Sequence, residues 1–444
     1  MGNIKEERAR FHEDRISGMP DEILVSILSL VTLKEAGRAS VLSRRWQKLW
    51  TFVPNLNFDT PTQERLYYLV DRRCEKGLGK SYDIERTKYV NWVNRVLKLH
   101  QLPAIDQFRV SFDLGVDYRR DLDNWFKFAI EKRVQRLELS FEKSCAKPCP
   151  FPSLYRPHSF PRCNSLRALI LKYLSVSGKV LEYFICNCPL LERLCVQNSA
   201  ALVNLKVAGP LIPLKYLEIF DCMKLQNLEI SAENLVSFVY SGPRISMPFK
   251  YVPNLVEMSL KGMYCEYSMY EFCEFSSYLS RLETLILKLP MIEKKMTLLE
   301  FPTLSNLKQL ELIAFHAGDS VSLLRLTSLL KAAPILCRLT LKWRYRYLSN
   351  GGKKLQKAPK CPHHCLKLVE LVGFSAQTID VDYVRYLIEN AVELEKIIID
   401  PRSQISVESP WEYDEIEMEK IQAARECAKM LGRELCLGDK LVIL

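Results

Sequence analysis

Leu166-Arg167-Ala168-Leu169-Ile170-Leu171, Leu191-Glu192-Arg193-Leu194-Cys195-Val196, Leu282-Glu283-Thr284-Leu285-Ile286-Leu287 and Leu336-Cys337-Arg338-Leu339-Thr340-Leu341 share one pattern, L-x-x-L-x-L with aliphatic or aromatic substitutes. Fourteen such hexads begin at Ile105, Val134, Leu166, Leu191, Leu202, Leu214, Leu225, Leu235, Leu255, Leu282, Leu307, Leu336, Leu366 and Leu394. Side chains alternate along a strand, so the fourth and sixth positions point to one side and the third and fifth to the other. Leu194 and Val196, Leu217 and Ile219, Leu285 and Leu287, Leu310 and Leu312, and Leu339 and Leu341 therefore stack inward. Each turn hides its ladder only when a neighbour covers it, which predicts a stack of parallel strands rather than a closed globule. Truncating one such leucine to alanine should destabilise by about 2–5 kcal/mol.

Most hexads start 20–32 residues after the previous one, room for one strand and one return segment. Returns read as helix at Gly178 to Asn187, Ser320 to Ala332 and Val381 to Asn390. Between Leu191 and Leu235 the interval falls to 10–12 residues, too few for a full turn. That stretch predicts strands on both the front and the back, two hexads to a turn. The outward positions carry Arg193, Tyr216, Glu218, Glu257, Thr284, Gln309, Glu311, Arg338, Thr340 and Lys396, both charges mixed with hydroxyls and a ring. A surface of that kind suits a protein partner. Arg193, Tyr216, Glu218, Glu257, Gln309 and Arg338 are the candidate contact residues.

The chain before the hexads has another period. Met19-Pro20-Asp21-Glu22 opens a helix, proline suiting the first turn and the acids suiting the helix dipole. Ile23, Leu24, Ile27, Leu28, Leu30 and Val31 then make an apolar face wider than one surface helix needs. Thr32-Leu33-Lys34-Glu35 is a capping box for a second helix running through Ala36, Ala39 and Val41 to Leu42. Ser43 caps a third, Arg44 to Trp50, with Trp46 and Trp50 one turn apart. So short a module struggles to bury this much apolar surface alone, so part of it faces either the strand stack or a foreign subunit.

Asp14-Arg15-Ile16-Ser17-Gly18-Met19-Pro20-Asp21-Glu22-Ile23-Leu24, Ala39-Ser40-Val41-Leu42-Ser43-Arg44-Arg45-Trp46 and Leu49-Trp50 resemble the F-box of plant F-box proteins. The resemblance implies docking on the Skp linker protein of a cullin–RING ubiquitin ligase, with Pro20, Ile23, Leu24, Ile27, Val41, Leu42 and Trp46 supplying docking and packing surface. Met19 stands where leucine is usual, and Gly37 lies inside the second helix. The hexads resemble the leucine-rich repeats that accompany F-boxes. Pro359-Lys360-Cys361, Leu366 to Phe374, Tyr386 to Ala391 and Leu394 to Ile397 resemble the FBD domain. The expected organisation is therefore α/β: a three-helix F-box at 14–55, a linker and cap at 56–104, leucine-rich repeats at 105–355, and an FBD segment at 356–444 that continues the stack. Within the cap, Tyr67 to Val70 and Val90 to Leu99 read as helices around a loop at Glu75–Lys80; near the end, Tyr413 to Leu431 reads as a charged amphipathic helix and Lys440 to Leu444 as a closing edge strand.

At 444 residues two or three folding units are expected. Hydrophobic residues at 48% and charged residues at 26% suit a soluble globular protein. The net charge of +11 is spread along the whole length with no basic run, so nucleic acid is not the expected partner. No apolar run approaches the roughly 20 residues of a membrane helix. Fifteen cysteines behind a charged N-terminus suggest a reduced intracellular protein, cytoplasmic or nuclear. Cys361-Pro362-His363-His364-Cys365 offers four ligand-type side chains, with Cys145 and Cys149 as distant partners. Zinc sites draw their ligand pairs from separate segments, and adjacent histidines point apart, so no metal is expected. No nucleophile, zincin or phosphate-loop motif is present, and no cofactor or catalysis is expected. The resemblance implies a substrate-recognition subunit: the F-box reaches cullin and RING subunits through Skp, and the repeats hold a protein substrate. A non-degradative scaffold is the second reading. An RNA-binding stack, whose affinity must fall steeply with salt, is the third.

Overall fold

A computed structural model describes residues 16, 18–59, 78–141, 149–151, 163–209, 212–245, 249–262, 280–288, 302–315, 321–344, 359–402 and 415–444. Tyr67 to Val70, Glu75 to Gly77 and Cys145 lie outside them. The chain divides into two compact units, residues 1–202 and 203–444.

The first unit opens with helices α1 (Asp21–Leu28), α2 (Leu33–Arg38) and α3 (Trp46–Leu49). The predicted capping box is present: Glu35 N donates to Thr32 Oγ1 at 3.3 Å, and Thr32 N donates to Glu35 Oε2 at 3.0 Å. The second and third helices are shorter than predicted, because 3-10 turns at Ala39–Val41 and Trp50–Phe52 take up their ends. Strand β1 (Asn55–Asn57) follows, then helix α4 (Leu78–Leu99) and β2 (Gln107–Ser111). Helix α5 (Arg119–Glu131) leads to β3 (Arg136–Ser140). A two-residue strand β4 (Cys149–Pro150), β5 (Ala168–Lys172), β6 (Leu174–Ser175), helix α6 (Gly178–Asn187) and β7 (Arg193–Gln197) complete it.

Strands β1, β2, β3, β5 and β7 form one parallel ladder. Its register puts Leu56, Phe108, Leu137, Leu169 and Leu194 in one line, all fully buried as the hexad reading requires. The ladder starts at β1, well before the first hexad at Ile105. Helix α5 was not legible as an element beforehand, although Leu122, Trp125, Phe126 and Ala129 give it an apolar stripe, and all four are buried.

In the second unit β9 (Tyr216–Phe220), β11 (Ser237–Ser241), β13 (Glu257–Lys261), β14 (Thr284–Lys288), β15 (Gln309–Phe315), β16 (Arg338–Arg344), β17 (Leu368–Val372), β18 (Lys396–Asp400) and β19 (Leu441–Ile443) form a second parallel ladder. The closing edge strand predicted at 440–444 is β19, paired with β18. Leu217, Phe238, Met258, Leu285, Leu310, Leu339, Val369 and Ile397 line up through it, all buried. A separate sheet holds β8 (Asn204–Ala208), β10 (Asn227–Ser231) and β12 (Phe249–Tyr251). Front and back strands thus alternate, as the short hexad spacing predicts. The return before β13 is also a strand, because prolines 243, 248 and 253 deny that stretch a helix. Helices α7 (Val321–Ala332), α8 (Thr378–Asn390) and α9 (Glu415–Glu434) lie close to their predicted limits.

One device recurs at the strand ends. The residue directly after β5, β7, β9, β13 and β17 takes a left-handed φ: Tyr173 (58°), Asn198 (53°), Asp221 (51°), Gly262 (69°) and Gly373 (83°). Only at the last does close approach demand glycine, since a Cβ there would lie 2.6 Å from the Trp343 carbonyl oxygen.

Candidate functional site: an apolar helical face and a ladder of strand side chains

The helical module sorts its apolar residues into two sets. Leu24, Leu28, Ala36, Trp46, Leu49 and Val53 form its core. Asp21 and Arg45 hold the third helix to the start of the first, with Arg45 Nε donating to Asp21 Oδ1 at 2.7 Å. Arg45 Nη2 also donates to the Met19 carbonyl. The other set stays in water: Val41 is 86% exposed, Leu30 86% and Leu42 68%, with Pro20, Ile23, Ile27 and Val31 exposed beside them. Of the seven predicted docking residues, Pro20, Ile23, Ile27, Val41 and Leu42 are thus accessible. Leu24 (0% exposed) and Trp46 (6%) are core residues, so their part is to hold the helices rather than to touch a partner. Ile16, Leu30 and Val31 are exposed additions that the prediction left out. For Leu30 and Val31 the signal was the apolar run that continues just past α1.

The module is anchored on its own unit. His100 Nε2 lies 3.0 Å from the Val53 carbonyl oxygen, Gln101 N donates to Thr51 O at 3.0 Å, and Lys34 Nζ sits 4.8 Å above the Trp92 ring. The side of the module that faces the rest of the unit is therefore used, and the exposed set lies elsewhere.

On the second ladder, the register brings Tyr216, Ser237, Glu257, Thr284, Gln309 and Arg338 into one column. Glu218 begins the adjacent column, which continues through Val239, Ser259, Ile286, Glu311, Thr340 and Glu370. Arg338 donates to Glu370 Oε2 at 3.0 Å, and Lys342 pairs with Glu311 at 2.8 Å. Thr340 is buried, so it is no contact residue. Arg193 belongs to the first ladder, in register with Ala168 and Arg136. Three cations of that ladder were missed: Arg109 and Arg136, at outward positions of their hexads, and Lys172, the residue just after its hexad.

Within the cysteine–histidine cluster, His363 is held by the backbone. His363 is buried, its Nε2 lies 2.8 Å from the Ala333 carbonyl oxygen, and its Nδ1 accepts the Cys365 amide at 3.4 Å. Both ring nitrogens are committed to backbone, leaving none for a ligand bond. Cys163 and Cys188 lie side by side and buried; the contact with Cys163, then burial, pushes the Cys188 thiol up, which suits an inert packing group. Among the described residues no group of three or more metal-ligating side chains gathers, and no helix is long and apolar enough to cross a membrane.

Residues 153–437 match the family model of the At1g61320/AtMIF1 leucine-rich-repeat domain, and residues 16–58 match that of the F-box domain. The chain belongs to the plant F-box/leucine-rich-repeat proteins. Similar proteins of Arabidopsis thaliana carry the third module in their names. FBD-associated F-box protein At5g56370 is 28% identical over 257 residues, 56% of this chain and 54% of that protein, so this match spans about half the relative's length. Putative FBD-associated F-box proteins At5g56440 and At5g50270 are 23% and 24% identical, covering 87% and 88% of this chain and 92% and 97% of their own. F-box/leucine-rich-repeat proteins generally work as non-catalytic adaptors in SCF-type ubiquitin ligases, where the F-box meets a Skp-type partner and the repeats meet other proteins.

Proposed function

We propose that this F-box/leucine-rich-repeat protein is a substrate-recognition subunit of an SCF-type cullin–RING ubiquitin ligase. Its exposed helical face docks on the Skp linker, and the open faces of its strand ladders hold a protein substrate. The observation that carries the reading is the exposure of Ile23, Ile27, Leu30, Val31, Val41 and Leu42 on one small module whose core is already complete. Contiguous exposed apolar surface marks an interaction site. The protein supplies no reacting group; it contributes proximity, holding a substrate while other subunits transfer ubiquitin.

The test is a pull-down with the Skp linker and cullin, using the full chain and a Val41→Glu/Leu42→Glu variant. Both side chains stand in water, so the variant keeps its melting temperature while linker binding falls by at least tenfold, about 1.4 kcal/mol. Undiminished capture of linker and cullin by the variant would overturn the reading.

A further inference from the structure

Cys163 and Cys188 hold the same place in two successive turns of the first ladder. Each stands three residues before the first residue of its hexad, Leu166 and Leu191. Each accepts that residue's amide, Leu166 N donating to Cys163 O at 3.4 Å and Leu191 N to Cys188 O at 3.1 Å. From these turns the chain enters β5 and β7, which pair with Ala168 opposite Arg193, so both cysteines lie equally far from the paired residues. The second unit shows what that place in the repeat implies: His363 and Ala391, each three residues before a hexad, form a parallel bridge. Neighbouring strands lie about 4.7–4.9 Å apart, inside the roughly 4.4–6.8 Å Cα separation that a disulfide accepts.

The two side chains meet, and one of them borders a cavity. The Cys188 thiol hydrogen-bonds Cys163, and both residues are buried. A cavity of about 480 Å³ is walled by Ile130, Arg133, Val134, Cys163, Asn164 and Ser165. Arg133 and Asn164 are exposed and connect it to water. The hydrogen bond from Cys188 holds the Cys163 thiol below its ordinary value, which favours the thiolate, the reacting form. The same contact raises Cys188, which is inert by itself because it keeps its proton.

We propose that Cys163 and Cys188 are a peroxide-sensitive pair that closes to a disulfide across two turns of the first ladder. Hydrogen peroxide enters the cavity beside Cys163. The Cys163 sulfur attacks one peroxide oxygen, the O–O bond breaks, and the leaving hydroxide takes up the proton that Cys163 gave up, forming water. Cys163 is then a sulfenic acid, and the negative charge that held the proton on Cys188 is gone. The Cys188 sulfur attacks the sulfenic sulfur, the S–S bond forms and the S–O bond breaks. The hydroxide released there leaves with the Cys188 proton as a second water. Two thiols lose two electrons in all, and the peroxide gains them. The bond ties together the turns that lead into β5 and β7, and its formation needs no partner protein.

The experiment treats the reduced full chain, well below its melting temperature, with hydrogen peroxide in small excess. Remaining thiols are blocked with N-ethylmaleimide, and the protein is digested with trypsin without reductant and mapped by mass spectrometry. The expected product joins the peptides of Cys163 and Cys188 at a mass two hydrogens below their sum, and dithiothreitol separates them. Cys186 is exposed and falls in the same tryptic peptide as Cys188, so the map is repeated on Cys186→Ser, where the link persists. In Cys188→Ala, whose fold the melting curve checks, the link is lost and dimedone captures Cys163 as the sulfenic acid. Cys195, buried in the middle of β7, is the internal control for unfolding. Cys163 reacts at least about tenfold faster than Cys195. A link through Cys186, no link at Cys163, or equal rates at Cys163 and Cys195 would each overturn the inference. If Cys188→Ala does not fold, the native chain and Cys186→Ser decide alone.

Discussion

His100 Nε2 lies 3.0 Å from the carbonyl oxygen of Val53, joining the end of α4 to the end of the F-box module. The carbonyl can only accept, so Nε2 carries the proton and Nδ1 is the bare nitrogen. Nδ1 is buried without a hydrogen-bond partner, and burial lowers the affinity of the ring for a second proton. The unfolded chain therefore protonates first as pH falls. Stability linked to His100 is fully present above the ordinary histidine value of about 6.5 and is lost as pH drops below it, toward the lower folded value. Chemical denaturation between pH 7.5 and 5.5 should show a steeper loss for the native protein than for His100→Gln, which keeps a donor toward Val53. Parallel profiles for the two proteins would refute the assignment.

The two apolar sets of the helical module respond in opposite ways to truncation. Leu24 is sealed in the core, so Leu24→Ala should destabilise by about 2–5 kcal/mol. Leu42 stands largely in water, and Leu42→Ala should stay within about 0.5 kcal/mol. Thermal melts of the two variants decide this without any partner present; comparable destabilisation would show that the sorting of inner and outer residues is wrong.

A pair of glycines gives a third contrast. Gly37 lies in α2 with nothing within 4 Å of where a Cβ would stand. Gly37→Ala should stabilise by up to about 1 kcal/mol through helix propensity alone. Gly373 has φ +83° and the Trp343 carbonyl oxygen 2.6 Å from the same point. Gly373→Ala must both strain the backbone and push β16 away from β17, so it should destabilise by at least about 1–3 kcal/mol. Equal and small effects at both positions would contradict the left-handed turn after β17.

The ladders were legible because each turn repeats two inward aliphatic positions at strand spacing, and a stack buries them in register. Leu339, for example, sits between Leu310 and Val369, as its hexad requires. The short strands β1, β6 and β12 were not legible, because two or three residues carry no measurable period; β19, equally short, was read from the unbroken apolar run Leu441 to Leu444. The left-handed turns at Tyr173, Asn198, Asp221, Gly262 and Gly373 share a place in the repeat but no residue type, so sequence spacing alone does not expose them. In the candidate site, apolar content was visible throughout residues 16–50, but which residues face outward depends on how three short helices pack. Leu24 and Ile23 are neighbours of similar character, and only the fold sends one inward and the other out. Arg109, Arg136 and Lys172 looked like ordinary solvated charges. What sets them apart is the buried Glu138 between them, a relation across three strands separated by dozens of residues.

Val41 and Leu42 sit side by side on a 3-10 turn and its end, with no fold-stabilising work to do. Water must organise around both whenever nothing else lies against them. Copies of the free chain will find each other through this spot as concentration rises. Recovery of the protein from an expression host should then depend less on its composition than on whether something is made alongside it to shield those two side chains.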